Sequence, residues 1–375
     1  MKRLKVALVY DRVNKVGGAE RVLLALHEIW PDAPLYTAVY DKKGARWASV
    51  FQMQPSFLQW FPWAKTHHEL YPWATPMAFE SFSFDGYDVV ISVTSAEAKD
   101  IITKPGTLHV CYCLTPTRYL WSGFESYQTS ANIGLPRSVA RGSFEKLVPV
   151  LRGWDMLASR RPDVYIAIST IVADRISLYY KQTPDRIIYP PVDTTIFTRN
   201  TGRVKRKQAD YFLVVSRLVG YKRVDIIVDA FTKLGWPLVV IGSGWEKKAL
   251  SARAGSNIRF IDYLTDKELV YYYQNCRAFV FAGAEDFGIV AAEAQACGKP
   301  VIAYKNSGVA EIVIPGRTGI LFDEQSVASL IGALMSFTKS WYDSRLCRKN
   351  AERFSKERFK REMQLAIERN YNRSI

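Results

Sequence analysis

The stretch AEDFGIVAAEAQACGKPVIA sets two carboxylates, Glu285 and Glu293, in the spacing E-x7-E around the start of a short helix, which Gly298 and Pro300 close before the strand VIAY. Phe287, Gly288, Ile289 and Val290 fall at the helix start, where N–H groups lack intrahelical partners and the helix dipole favours an anion such as a diphosphate. Glu293, two turns in, can accept hydrogen bonds from ribose hydroxyls, and Glu285, in the loop, can reach a sugar beyond the phosphates. At about 1.5 Å of rise per helical residue, the two carboxylates stand about a nucleotide-sugar segment apart. Taken alone, the spacing also describes two solvated acids on an ordinary strand–loop–helix unit.

Two cations narrow the choice. In FLVVSRLVGYKRVDIIVDAF, Arg217 follows a strand and Lys222 precedes a helix of apolar period, so both belong at the carboxyl edge of a sheet. Ligands of open α/β sheets bind at that edge, and cations there can neutralise a diphosphate leaving group. The segment VVIGSGWEKKAL puts Gly242 and Gly244 in a tight turn, but G-x-G without a third glycine is a weak dinucleotide fingerprint. Gly17 and Gly18, between a strand and an amphipathic helix, let backbone approach a phosphate or sugar from the opposite domain, or serve the turn alone. On the acceptor side the candidates are His67 and His68 in KTHHEL, as a base or as phosphate ligands, and Arg118; paired histidines are also commonly incidental.

These residues need sheets to hold them. Short β-branched runs alternate with helical segments: KVALVY, LYTAVY, DVVISV, LHVCYC and DVYIAIS in the amino half, then YFLVVS, PLVVIG, IRFI, RAFVFAG, VIAY and GILF. That rhythm means parallel sheets covered on both faces, in two doubly wound series. A chain of 375 residues is long for one core, and two domains imply a cleft. The paired prolines and the polar stretch after them place a linker at about 190–209. The aromatic and proline-rich region 55–86 breaks the rhythm, either as a short hydrophobic helical hairpin facing an acceptor or as an irregular wall. From about Trp341 to Tyr371 runs one long amphipathic helical pattern, read as a solvated cap or as a membrane or nucleic-acid contact.

A hydrophobic share of 48% with 23% charged residues excludes fibrous and disordered classes. The net charge of +15 attracts phosphates, nucleotide-sugars, nucleic acid or an anionic membrane; nucleic-acid binding alone leaves the paired carboxylates unexplained. Basic and aromatic surfaces near residues 55–80 and 137–161 are candidates for contact with anionic lipid. Five scattered cysteines, mostly in apolar runs, read as reduced structural thiols of a cytoplasmic protein, and the Cys/His pattern offers no metal site. The basic amino terminus is too short in its apolar run to be a signal peptide, and no apolar stretch reaches the roughly 18 residues of a spanning helix.

In series, GGAER, SRLVGYKRVD, IGSGWE, EDFGIVAAEAQACGKPVIA and SGVAEIVIPGRTGILF resemble the retaining GT-B glycosyltransferases of family 4 over nearly the whole chain, most specifically from Ser216 to Phe322. KTHHELYPWATPMAFESFSFDGYDVVIS, CYCLTPTRYLW and IIYPPVDTTIF are similar to the WbaZ-like mannosyltransferase group, which builds bacterial O-antigen and other surface polysaccharides. The resemblance implies an α/β GT-B fold of two facing Rossmann-like domains with an interdomain cleft, and a donor held mainly by the second. Residues 1–195 are then the acceptor-side domain, 208–355 the donor-binding domain, and 356–375 a helix returning to the first. It further implies Arg217 and Lys222 on the diphosphate, Glu293 on ribose, Glu285 on the donor sugar, Phe287–Val290 amides on sugar and phosphate, Gly17 and Gly18 closing from the first domain, and Tyr263 and Leu264 meeting the base through backbone.

The expected activity is transfer of a hexosyl group, mannosyl from GDP-mannose, to a lipid-linked or polysaccharide acceptor, with retention and without cofactor or protein-bound metal. A UDP-sugar-dependent family 4 enzyme and a non-catalytic nucleotide-sugar-binding subunit are the alternatives. The expected site is the cytoplasm, with peripheral contact on the inner face of the cell membrane, and no nucleic-acid partner. Leu114 and Ser122 stand where the family commonly has His and Asp, so either donor recognition is altered or His109, His67 or His68 compensates.

Overall fold

The Val- and Ile-rich runs form two parallel sheets in the computed structural model, which describes residues 4–15, 17–124, 137–200 and 210–374. One unit comprises Met1–Tyr189 with Phe359–Ile375, the other Pro190–Arg358. In the first, β1 (Val6–Tyr10), β2 (Leu35–Thr37), β3 (Met53–Pro55), β4 (Val89–Thr94), β5 (Leu108–Cys113), β6 (Val164–Ala167) and β7 (Arg186–Ile187) lie in the order β3-β2-β1-β4-β5-β6-β7. The second orders β8 (Phe212–Val215), β9 (Leu238–Ile241), β10 (Ile258–Ile261), β11 (Phe279–Phe281), β12 (Val301–Tyr304) and β13 (Gly319–Phe322) as β10-β9-β8-β11-β12-β13. Strand order therefore reverses between β1 and β4 in one sheet and between β8 and β11 in the other, the α/β doubly wound architecture expected.

Helices α1 (Ala19–Ile29), α2 (Thr75–Glu80) and α3 (Arg137–Ala158) belong to the first unit. The second holds α4 (Val224–Leu234), α5 (Asp266–Asn275), α6 (Ile289–Ala296), α7 (Val327–Thr338) and α8 (Ser344–Ala351), and α9 (Lys356–Ser374) follows. Strands β1, β4 and β5 are buried along their whole lengths, which is why their sequences run apolar without alternation. In the second unit Phe212, Val214, Val240 and Val280 of the sheet pack with Ile227 and Phe231 of α4.

Three local features differ from the sequence reading. Strands β3 and β7, too short and polar to register as strand signals, pair at the two edges of the first sheet. Region 55–86 forms the wall rather than a helical hairpin: short 3₁₀ turns and α2 bury Leu58, Ala64, Phe79 and Phe84 against β1 and β4. The long amphipathic pattern near the carboxyl terminus is broken between α8 and α9 at Ser355, which is extended (ψ 147°) because Val192 bridges to it. Val192 N–H donates to Phe354 O at 2.8 Å, and Lys356 N–H donates to Val192 O at 2.9 Å. Arg348 donates to the carbonyls of Thr194 and Phe197, so the residues after Pro190 are packed into the second unit. The rest of the expected linker, 201–209, lies outside the described residues.

The loops at the carboxyl ends of β4 and β5 are held by a buried charge. Lys99, fully buried, donates to Asp155 Oδ1 at 2.5 Å, Asp100 Oδ1 at 3.2 Å and Ala96 O at 3.0 Å. Burial opposes its charge, but Asp100 and Asp155 outweigh it and hold the ammonium well above the usual lysine range. Burial pushes Asp100 up to about 8, and of the two carboxylates beside Lys99 that of Asp155 is the nearer. Asp155 also accepts from Thr117 Oγ1 at 2.6 Å and Trp121 Nε1 at 2.7 Å, tying α3 to the segment after β5. Removing Asp155 takes from the buried Lys99 its closer carboxylate and leaves it only Asp100, which burial pushes toward the neutral form. Asp155→Ala should therefore lower stability in urea unfolding by about 3–5 kcal/mol, and the apolar double replacement Lys99→Met/Asp155→Leu by less; an equal or greater loss in the double variant would refute this account.

Candidate functional site

In the second unit the loops after β8 and β11 meet where the strand order reverses. After β8 the chain makes a 3₁₀ turn, Gly220–Lys222, and Arg223 takes a left-handed φ of 51° to start α4. Gly242, with φ 143°, lets the next turn close on this segment, because a Cβ there would lie 1.9 Å from Ser216 O. The G-x-G at 242–244 thus serves close packing of two βα turns, and Leu218 N–H donates to Ser243 O at 2.9 Å. After β11, a Cβ on Gly283 would stand 3.0 Å from Lys222 Cα, so the backbone approaches Lys222 directly.

That approach brings Lys222 Nζ into an ion pair with Glu285 Oε1, both side chains mostly buried. Arg217 Nη2 donates to Tyr221 Oη at 2.5 Å, and the ammonium of Lys222 lies 5.0 Å from the Tyr221 ring centroid. Tyr221 therefore links the two cations, a residue that motif reading passed over although it sits between them in SRLVGYK. Ser307 is a second such residue: its Oγ accepts from Glu285 N–H at 3.0 Å, while Gly308 N–H donates to Glu285 O at 2.7 Å. The loop after β12 thereby fixes the carboxylate's backbone.

Helix α6 begins immediately beyond. Gly288 is its N-cap with φ 85°, makes no side-chain cap, and would drive a Cβ within 2.3 Å of Val309. With no side chain capping them, the first-turn amides at Ile289 and Val290 are suited to an anion. Phe287 is buried against Phe354, with ring centroids 5.4 Å apart. Glu293 is set apart from Glu285: it is 1% exposed and accepts from Tyr273 Oη of α5 at 3.3 Å. Tyr263, well exposed, and Leu264, half-buried, follow β10 at the same carboxyl edge. The structure thus assembles Arg217, Lys222, Glu285 and the α6 amino terminus into one place with two cations, one carboxylate and an anion-seeking helix end.

In the first unit the corresponding edge carries its own polar cluster. Asp11, just after β1, accepts from Thr94 Oγ1 and Ser95 N–H, each at 2.7 Å, and from Ala98 N–H at 2.9 Å, locking the ends of β1 and β4 together. Arg12 donates to Glu97 Oε2 at 3.1 Å and to His68 Nε2 at 2.6 Å, and Tyr119 Oη donates to Glu97 Oε1. Sequence reading found His68 but not Arg12, Glu97 or Tyr119, whose proximity arises only from sheet order. His67 is exposed and bonds its neighbour Thr66; Arg118, half-buried, donates its N–H to Ser95 O at 3.3 Å. Gly17 and Gly18 are exposed at the start of α1, above Glu20, whose carboxyl burial raises in pKa.

His109 is unavailable to stand in for the histidine that the sequence resemblance places at Leu114. It occupies the amino-terminal half of β5, fully buried, with Nε2 2.8 Å from Ser92 Oγ, whereas Leu114 follows the other end of the strand. Burial pushes His109 down to about 3, and burial together with the Arg12 charge pushes His68 down to about 2.

Residues 199–356, which hold Arg217, Lys222, Glu285 and Glu293, match the model of the family described as Glycosyl transferases group 1. The D-inositol 3-phosphate glycosyltransferase of Thermobifida fusca is 27% identical over 253 residues, 56% of this chain and 58% of that protein. The O-antigen chain mannosyltransferase B of Escherichia coli is 29% identical over 134 residues, 32% of this chain and 34% of that one. The chain spans about half the length of the curated relatives it matches. In fold it is similar to the lipopolysaccharide outer core galactosyltransferase WaaB in its apo form, with a TM-score of 0.67 and 18% identity over 98% of this chain and 100% of that one. The paired Rossmann-like sheets are those of GT-B glycosyltransferase structures.

Two histidines buried in the neutral form give the first unit a specific pH response. Their folded pKa values lie below the ordinary 6.5, so the stability they contribute is present above that pH and is lost as pH falls and the unfolded chain alone takes up protons. At about pH 5 the loss is about 2 kcal/mol per histidine. Denaturant unfolding followed from neutral to mildly acidic pH should show this slope, and His109→Gln should flatten it; an unchanged slope in that variant would remove His109 from the account.

Proposed function

We propose that the chain is a retaining hexosyltransferase that moves a mannosyl group from GDP-mannose to a hydroxyl of a lipid-linked or polysaccharide acceptor, in the synthesis of surface glycans such as O-antigen or exopolysaccharide. The observation that carries this reading is the Arg217–Tyr221–Lys222–Glu285 cluster at the sheet's reversal point, beside the α6 amino terminus and inside the stretch matched to group 1 glycosyltransferases. The mannosyl choice is supported by the resemblance of the amino half to the WbaZ-like group and by the named activity of the Escherichia coli relative.

Charge explains the chemistry. Glu285 neutralises Lys222; an arriving diphosphate offers more negative charge to Lys222, Arg217 and the α6 amides, and Glu285 is released to accept hydrogen bonds from the sugar's hydroxyls. As the bond from the anomeric carbon to the diphosphate breaks, its electron pair goes to the diphosphate oxygen, where those cations gain most. The acceptor hydroxyl bonds to the same face of that carbon, and its proton passes to the departing diphosphate oxygen, which has just gained the electron pair. In this reading Glu293 serves the ribose, Tyr263 and Leu264 the base, and Gly17 and Gly18 the diphosphate. His67, His68 and Arg118 meet the acceptor, at the cytoplasmic side of the membrane.

The test begins with thermal shift against GDP-mannose, GDP, UDP-glucose and UDP, since a ligand of the native state raises its melting temperature. GDP-mannose and GDP should stabilise the protein selectively, and a preference for UDP would overturn the donor assignment. Lys222→Ala and Glu285→Ala should keep the wild-type fold and lose on the order of 10²–10³ in transfer to lipid-linked glycan. Undiminished transfer by either variant would remove that residue from the reaction.

A further inference from the structure

The first unit carries an outward apolar surface used by neither polar cluster. Between Phe57 and Met77, Trp60 is 86% exposed, Trp63 73% and Trp73 49%, and Met77 is also exposed. Trp63 has a φ of 55°, a left-handed backbone that bulky side chains rarely adopt. The strain is held by its surroundings: Thr66 N–H and His67 N–H donate to Trp63 O at 3.0 and 2.8 Å, and Ala64 is buried behind it. Its effect is to present an indole to solvent on an otherwise anchored turn, and such overdetermined outliers mark function.

The polar groups of this segment turn inward. Tyr71 Oη donates to Pro62 O at 2.9 Å, Thr75 Oγ1 to Tyr71 O at 3.0 Å, and Thr66 Oγ1 to Trp63 O at 3.3 Å. What remains outside is mostly indole and thioether, with Lys65, His67 and Glu69 as exposed polar side chains among them. Helix α3 is joined to α2 through Glu80, which accepts from Trp154 Nε1 at 2.7 Å and Arg161 Nη2 at 2.5 Å. Of the basic stretch 137–161, the side chains described begin at Lys146. On α3, Val150 and Leu157 are exposed one heptad apart, with exposed Lys146 and Arg160 at either end of that stripe.

Indoles with aliphatic side chains and flanking cations, on a chain of net charge +15, fit the boundary zone of an anionic bilayer, where aromatic rings lie at headgroup depth. Among the described residues no helix is long and apolar enough to cross a membrane, so the contact is from one side. We propose that Trp60, Trp63, Trp73 and Met77, with Val150 and Leu157, form a surface that docks on anionic lipid. This inference is independent of the donor chemistry proposed above.

The test uses the full chain with vesicles of phosphatidylethanolamine and phosphatidylglycerol, read by cosedimentation, tryptophan emission and quenching by brominated lipid. The wild type should bind, shift its emission to the blue and be quenched. Trp60→Ser/Trp63→Ser should lower partitioning by roughly tenfold or more at unchanged melting temperature and unchanged nucleotide-sugar thermal shift. Trp73→Ser, on a separate turn, should weaken binding to a lesser degree. Wild-type partitioning by the double variant would overturn the proposal, as would absence of vesicle binding. Two other results without vesicle binding would reassign the surface: self-association abolished by the double variant points to a second copy of the chain, and emission quenched by soluble mannan points to glycan stacking.

Discussion

The ion pair between Lys222 and Glu285 is the interaction on which the second unit's chemistry depends. A cation and a carboxylate so far apart in sequence meet because β8 and β11 are neighbours at the point where strand order reverses, and both strands deliver their following loops to the same edge. Close approach at Gly283 and the left-handed Arg223 fix the two loops, and Ser307 holds the carboxylate's backbone from a third. Within the pair each charge offsets part of the other's cost of leaving water.

A comparable arrangement governs the first unit, with a different balance of groups. Its reversal point, between β1 and β4, carries Arg12 and Glu97, with His68 supplied by the aromatic wall and Tyr119 by the loop after β5. Beneath them the buried Lys99–Asp155 pair ties the loops after β4 and β5 to α3. Polar side chains that bond each other at a sheet edge hold one another in place. Leu114 leaves one position of that edge apolar, and His109 lies deep in the strand, away from it.

The wall formed by residues 55–86 has two faces with opposite chemistry. Inward, Leu58, Phe79 and Phe84 complete the core against β1 and β4. Outward, the tryptophans stand exposed, while Tyr71 and Thr75 turn their hydroxyls to the segment's own carbonyls. One insertion thereby closes a core and makes a surface.

The alternation of β-branched runs with helices determined by itself that the chain folds as two doubly wound parallel sheets, because a strand buried on both faces must be apolar throughout and so announces itself. Arg217, Lys222 and Glu285 were legible for a related reason: residues directly after a parallel strand must emerge at its carboxyl edge. Strands β3 and β7 were not legible, since two or three edge residues carry too little apolar period to signal pairing. The break between α8 and α9 was hidden too, because helical periodicity continues across Ser355 and only the bridge to Val192, distant in sequence, opens it. Tyr221, Ser307, Arg12, Glu97 and Tyr119 became site residues only through tertiary structure. Their types are ordinary at any surface, and what gives them a role is distance to groups far along the chain, which strand order sets and local sequence does not encode.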